Sequence, residues 1–229
     1  MKRIGLLGGM SWESSIEYER LINQGVRARV GGVASADLLI RSYNFAEIEA
    51  LQSKGDWDGA GRLLAADAAH LEAGGAQLLV LCTNTMHVVA PAIEAAISIP
   101  LLHLGDATAQ AVKAAGVSTV ALLGTRYTME KEFYRSRIAG HGLNVIVPDE
   151  PGRTIIHDTI YNELVQGVIN PASKEACLEV IDGLIASGAE GVIAGCTEIE
   201  LLVDADDVDV AYFPTTRLHA EAAVTAALR

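Results

Sequence analysis

Cysteine is scarce. Only Cys82, Cys177 and Cys196 occur in 229 residues, with no C-x-x-C pair, so neither a disulfide framework nor a zinc site is suggested. Aromatic residues make up 5% of the chain, and basic residues are outnumbered 17 to 29 by acidic ones, for a net charge of −12. With no basic cluster, nothing neutralises a phosphate backbone or an anionic membrane surface, which argues against nucleic acid and membrane partners. A long apolar span is also missing. The longest stretch free of Asp, Glu, Lys and Arg, residues 73 to 93, is broken by Gly74-Gly75, Gln77, Thr83-Asn84-Thr85, His87 and Pro91. After Lys2-Arg3, the run Ile4 to Leu7 meets Glu13 before any cleavage-like site, so it reads as a buried first strand and not as a leader. A reducing cytoplasm is the expected compartment. What is abundant is apolar, half of all residues, with much Gly and Ala, as in tightly packed α/β proteins.

Short apolar runs bounded by Gly or polar turns alternate with segments of helical period. Strands are predicted at 4–7, 37–42, 78–82, 101–103, 119–123, 144–147, 191–194 and 208–212. Helices are predicted near 13–29, 57–73, 106–115, 128–139, 154–167, 173–187 and 216–228. Regular alternation of this kind predicts an α/β fold with parallel sheets and crossover helices.

The chain repeats itself. GAQLLVLCTNT at residues 75 to 85 aligns without a gap to GAEGVIAGCTE at 188 to 198, an offset of 113 (188 − 75). IGLLGG at 4 to 9 aligns to VALLGT at 120 to 125, an offset of 116 (120 − 4). Two matches in the same order and at nearly equal offset predict a duplicated half-unit. The expected organisation is two pseudo-symmetric domains. The first covers 1–102 plus a C-terminal helix at about 214–229, the second covers 103–213, and one small ligand lies in the cleft between them. The repeat pairs Thr83 with Cys196, Asn84 with Thr197 and Thr85 with Glu198, each where a strand ends and a βα loop carries function.

At these residues the sequence resembles the cofactor-independent aspartate/glutamate racemase family, and within it the broad-specificity or acidic amino-acid racemases. The resemblance runs over GLLGGMSWESS at 5 to 15, LCTNTMH at 81 to 87, LLGTRYTME at 122 to 130, GCTEIELL at 195 to 202 and TTRLHAEAAV at 215 to 224. It implies two α/β domains with the site between them, a homodimer, an amino-acid substrate and no cofactor. It also implies a two-base mechanism, in which one cysteine takes the α-proton and a second returns a proton to the opposite face. The family pattern C-N-T-x-H falls on Thr83-Asn84-Thr85-Met86-His87, so the first catalytic cysteine is replaced by threonine, while G-C-T-E is intact at Gly195 to Glu198. Pro214 stands where relatives often carry Asp before the two threonines.

A thiolate suits α-proton abstraction, and backbone amides of helices opening after Asn84 and Gly195 are expected to favour it. A threonine hydroxyl is a far poorer base. The expected activity is therefore biased toward the enantiomer whose α-proton faces Cys196, with Thr83 the weaker partner. Single-cysteine decarboxylase or isomerase chemistry, or an inert small-acid binding protein, are the rival readings. Cys82 is expected to face the core if strand alternation holds at Thr83, and is the rival base if the strand has already ended. Cys177 has the helical neighbours of a core residue. Candidate substrate contacts are Met10, Ser11, Asn84, Thr85, Thr125, Thr128, Thr197 and Glu198, with Gln52 in a loop-rich segment that either covers the cleft or is solvated. His87 is either a buried hydrogen-bonded side chain or a polarising group. A distal carboxylate would need a cation, for which Arg41, Arg126 and Arg153 are open choices.

Overall fold

The computed structural model describes residues 1–229. The chain divides into two compact units, Met1–Leu104 with His219–Arg229, and Gly105–Leu218. In the first, the order is β1 (Ile4–Gly8), α1 (Trp12–Val30), β2 (Leu38–Ser42), α2 (Phe45–Ser53), α3 (Trp57–Ala73), β3 (Leu78–Leu81), α4 (Ala90–Glu94) and β4 (Leu101–Leu102). All four strands are parallel, in the order β2-β1-β3-β4.

The chain then runs through α5 (Leu104–Ala114), β5 (Thr119–Leu123), α6 (Arg126–Glu130), α7 (Glu132–Ala139), β6 (Asn144–Ile146), α8 (Glu150–Asn162), α9 (Pro171–Ala186), β7 (Gly191–Ala194) and β8 (Ala211–Pro214). The second sheet is also parallel, β6-β5-β7-β8, with the connectivity of the first. Helix α10 (Thr215–Leu228) opens in the second unit and continues into the first.

The central strands β1, β3 and β7 are buried along their whole length, and β5 from Val120 on, as continuous apolar runs require when helices cover both faces. One face of the first sheet packs Leu6, Leu78, Val80 and Cys82 against Tyr18, Ile22 and Val26 of α1 and Ala220, Ala223 and Val224 of α10. The other packs Leu79 and Leu81 against Ile48 of α2 and Leu64 of α3. In the second unit Ala121, Leu123, Val192 and Ala194 meet Ile156 and Ile160 of α8 and Cys177 and Ile181 of α9. No helix is long and apolar enough to cross a membrane.

Candidate active site

In each sheet the strand order reverses between the first and third strands of the unit, and open α/β sheets bind ligands beyond the carboxyl ends at such a reversal. The loops leaving that point are Gly9 to Ser11 and Cys82 to Asn84 in the first unit, and Gly124-Thr125 and Gly195 to Thr197 in the second. The Cys82 amide donates to the Leu7 carbonyl at 2.9 Å and the Gly195 amide to the Leu123 carbonyl at 2.7 Å. The two halves of the sequence repeat thus make the same bond at the same place. Gly195 has no room for a side chain, since a Cβ would stand 2.6 Å from the Leu123 carbonyl oxygen. Gly9, at φ 81°, turns the chain against the backbone of Tyr43, where a Cβ would again collide.

Thr83 is buried, and its carbonyl accepts a 2.7 Å bond from Nδ1 of His87, one turn on. A carbonyl only accepts, so Nδ1 carries the proton, and Nε2 is left to accept the Leu104 amide at 3.2 Å. His87 is therefore held as one neutral tautomer by two backbone groups. Beside it His219 donates Nε2–H to the Leu102 carbonyl at 2.7 Å and accepts the Tyr18 hydroxyl at Nδ1, 2.9 Å away. Burial, then the nearby His87, hold the His219 pKa down at about 3.

Cys82 points into the core formed with α1 and α10, its Sγ 3.9 Å from the Val80 carbonyl. Burial pushes its thiol far above the ordinary range. Cys177 is also a core residue, pushed up to about 11 chiefly by burial. Met10 packs with Tyr43, Ile48 and Met86. Ser11 caps α1, its Oγ accepting the Ser14 amide at 3.4 Å. Asn84 and Thr85 are buried at the start of a 3-10 turn, Thr85–Val89. Gln52 departs from expectation. It lies in α2, not in a loop, and is buried with Nε2 3.1 Å from Met86 Sδ. Asn44 caps that helix, and Ile48 and Gln52, four residues apart, form its buried face.

Cys196 is buried, and its thiol donates to Oε2 of Glu198 at 2.9 Å. Burial, then the charge and hydrogen bond of Glu198, raise its pKa well above the ordinary value, against amides of Glu198 and Ile199 that pull the other way. The expected thiolate-favouring helix is absent, because only the 3-10 turn Ile199–Leu201 follows and its few amides are outweighed. Thr197 Oγ1 lies 2.9 Å from Thr216 Oγ1. Thr125 caps α6 through the Thr128 amide, and their hydroxyls are 3.2 Å apart. Both are buried.

The three arginines are engaged within their own units. Arg41 pairs with Asp67 at 2.9 Å, Arg126 bonds Thr154 at 2.9 Å, and Arg153 pairs with Glu130 at 3.1 Å. No three His, Cys, Asp or Glu side chains converge as a metal-binding group. Thr215 and Thr216 lie in TTRLHAEAAV and Glu200 in GCTEIELL, but their contacts beside Cys196 are not legible from either motif, since the bonds join segments 15 to 21 residues apart.

Residues 7–223 match the Asp/Glu/hydantoin racemase family. The broad specificity amino-acid racemase RacX of Bacillus subtilis is 26% identical over 140 residues, 60% of this chain and 59% of RacX. The chain thus spans about three fifths of that relative. Among solved structures, a candidate Asp/Glu racemase from Yersinia pestis is 52% identical, with a TM-score of 0.94 over 100% of both chains. PH1733 of Pyrococcus horikoshii OT3, an aspartate racemase homologue, is 31% identical, with a TM-score of 0.87 and full coverage of both chains. With two repeated parallel sheets, matching strand-end loops and a family match over nearly its whole length, the chain belongs to the Asp/Glu/hydantoin racemase family.

Proposed function

We propose that this chain is a pyridoxal-independent amino-acid racemase acting on aspartate, glutamate or similar amino acids, working as a cytoplasmic homodimer without cofactor. The observation that carries the reading is the pairing of Thr83 and Cys196 at equivalent strand ends, with a carboxylate 2.9 Å from the Cys196 thiol and the neighbouring Cys82 turned into the core. In this reading the Cys196 proton passes to Glu198, the thiolate takes the α-proton, and the electron pair is spread into the substrate carboxylate. Buried Asn84, Thr85 and Thr197 are suited to bind that carboxylate. In this reading Met10, Ser11, Gln52, Thr125 and Thr128 are further substrate contacts.

Thr83, on the opposite face, supplies a hydroxyl proton poorly, so the carbanion returns mostly by way of Cys196. The signature is α-deuterium exchange of one enantiomer that outruns its racemisation. The test is incubation of D- and L-amino acids in deuterium oxide, after dialysis against chelator and without pyridoxal phosphate, followed by NMR and chiral chromatography. Exchange of one enantiomer without loss of carbon dioxide is expected. Carbon dioxide release, or binding without exchange, would replace the racemase reading with a decarboxylase or a binding protein.

A further inference from the structure

We propose that Glu200 is a positioning residue for Cys196, its carboxylate fixing the first turn of α10 so that the two threonines of that turn hold the chain on both sides of the cysteine. The inference rests on the reading of Cys196 as acid and base. Glu200 sits four residues beyond Cys196, in the 3-10 turn Ile199–Leu201. Its Oε1 accepts the Thr216 amide at 2.8 Å and lies 3.5 Å from the Thr215 hydroxyl. Pro214, immediately before the helix, has no side-chain acceptor, so a carboxylate from another element meets an amide that the helix leaves unpaired.

The threonines then reach back to the site. Thr215 Oγ1 donates to the Ala194 carbonyl at 2.7 Å, two residues before Cys196. Thr216 Oγ1 meets Thr197 Oγ1 at 2.9 Å, one residue after it. Both threonines are fully buried. The helix dipole favours a charged carboxylate at this position, but burial disfavours it. Burial prevails over Thr216, Arg217 and Thr215 and raises the Glu200 pKa to about 7. Of the other ionisable groups near it, Arg217 favours its charge, while Tyr134 of α7 and Tyr212 of β8 are pushed up chiefly by burial and further by that charge. Asp204 and Asp207 act on Tyr212 as well. The charged carboxylate is the form that complements the helix and accepts most strongly at Oε1, and it is lost as pH falls through about 7.

Glu200→Gln keeps a carbonyl acceptor at every pH and removes the titration, whereas Glu200→Ala removes the acceptor. For exchange at Cα, the Ala variant is expected to lose about 10- to 100-fold in kcat at pH 8 with KM within about twofold, since misplacement on the order of 1 Å costs that much. The Gln variant is expected to recover most of the loss and to lack the rise in kcat through neutral pH. An unchanged pH limb in the Gln variant, or an Ala variant with normal kcat, would overturn the proposal. NMR of the protein without substrate gives a second readout: the Thr197 and Thr216 methyl signals should titrate with the Glu200 carboxyl carbon. A Thr197 signal that stays flat through the Glu200 titration would also overturn it. A Thr197 signal that follows Glu200 in a protein showing no exchange of any amino acid supports the positioning and counts against the racemase reading alone.

Discussion

The thiol of Cys196 is held 2.9 Å from a carboxylate of its own loop, that of Glu198, and not beside a cation. A cation would draw the thiol toward thiolate, and Glu198 does the reverse. At rest the sulfur is protonated, next to a carboxylate acceptor.

Replacing that acceptor should separate two quantities. In Glu198→Gln the charge that disfavours the thiolate is gone, so the ultraviolet thiolate absorbance should rise at lower pH than in the unmodified protein. Exchange should nevertheless fall about 10²- to 10⁴-fold, the usual contribution of a positioned base. A fall in the thiol pKa with undiminished exchange would reduce Glu198 to a neighbour.

The proposed pairing of Thr83 with Cys196 predicts a gain of function. Thr83→Cys should raise exchange of the disfavoured enantiomer more than that of the favoured one, as measured for each enantiomer separately. Cys82→Ala should leave both rates unchanged and cost about 1 kcal/mol of stability in urea unfolding, as expected for deleting one buried heavy atom. Loss of exchange in the Cys82 variant, with none in Thr83→Ala, would reverse the assignment.

Buried His219 contributes to how stability responds to acid. His219 is neutral when folded, with a pKa lowered to about 3, against about 6.5 when unfolded. The unfolded chain therefore takes up the proton first, and the stability this residue contributes is present above pH 6.5 and lost as pH falls toward 3. The slope approaches about 1.4 kcal/mol per pH unit between these limits. Urea unfolding from pH 7 to pH 4 should show this decline, and it should be shallower in His219→Gln, where no ring can titrate. Equal slopes would assign the acid sensitivity elsewhere.

Strands that are unbroken apolar runs between glycines and polar turns, such as Thr119–Leu123 and Gly191–Ala194, formed where the pattern put them. The last strand did not. Val208 to Tyr212 was the expected span, but Asp204 caps a 3-10 turn through the Asp206 amide, and pairing starts at Ala211. Pro214 is tolerated because β8 is an edge strand. Helix α2 was hidden by its weak pattern, with only Ile48 and Gln52 buried. The repeat alone paired Thr83 with Cys196, because duplicated strands end in equivalent loops. The protonation of Cys196 could not be read in the same way, since it depends on burial and on the distance to Glu198. The roles of Glu200, Thr215 and Thr216 arise only when β7 and α10 come together.

Helix α10 has a consequence for the order in which the chain folds. Its Ala220, Ala223 and Val224 complete the core around Tyr18 and Ile22, and the Lys2 amide donates to the Ala227 carbonyl at 2.8 Å. Residues 105–218 form a unit from one contiguous stretch, whereas the other needs residues 1–104 and 219–229 together. During synthesis the amino-terminal sheet leaves the ribosome with one face covered by α1 but not yet by α10. It must wait while the whole carboxyl-terminal sheet is made. The half that is begun first is thus the last to close.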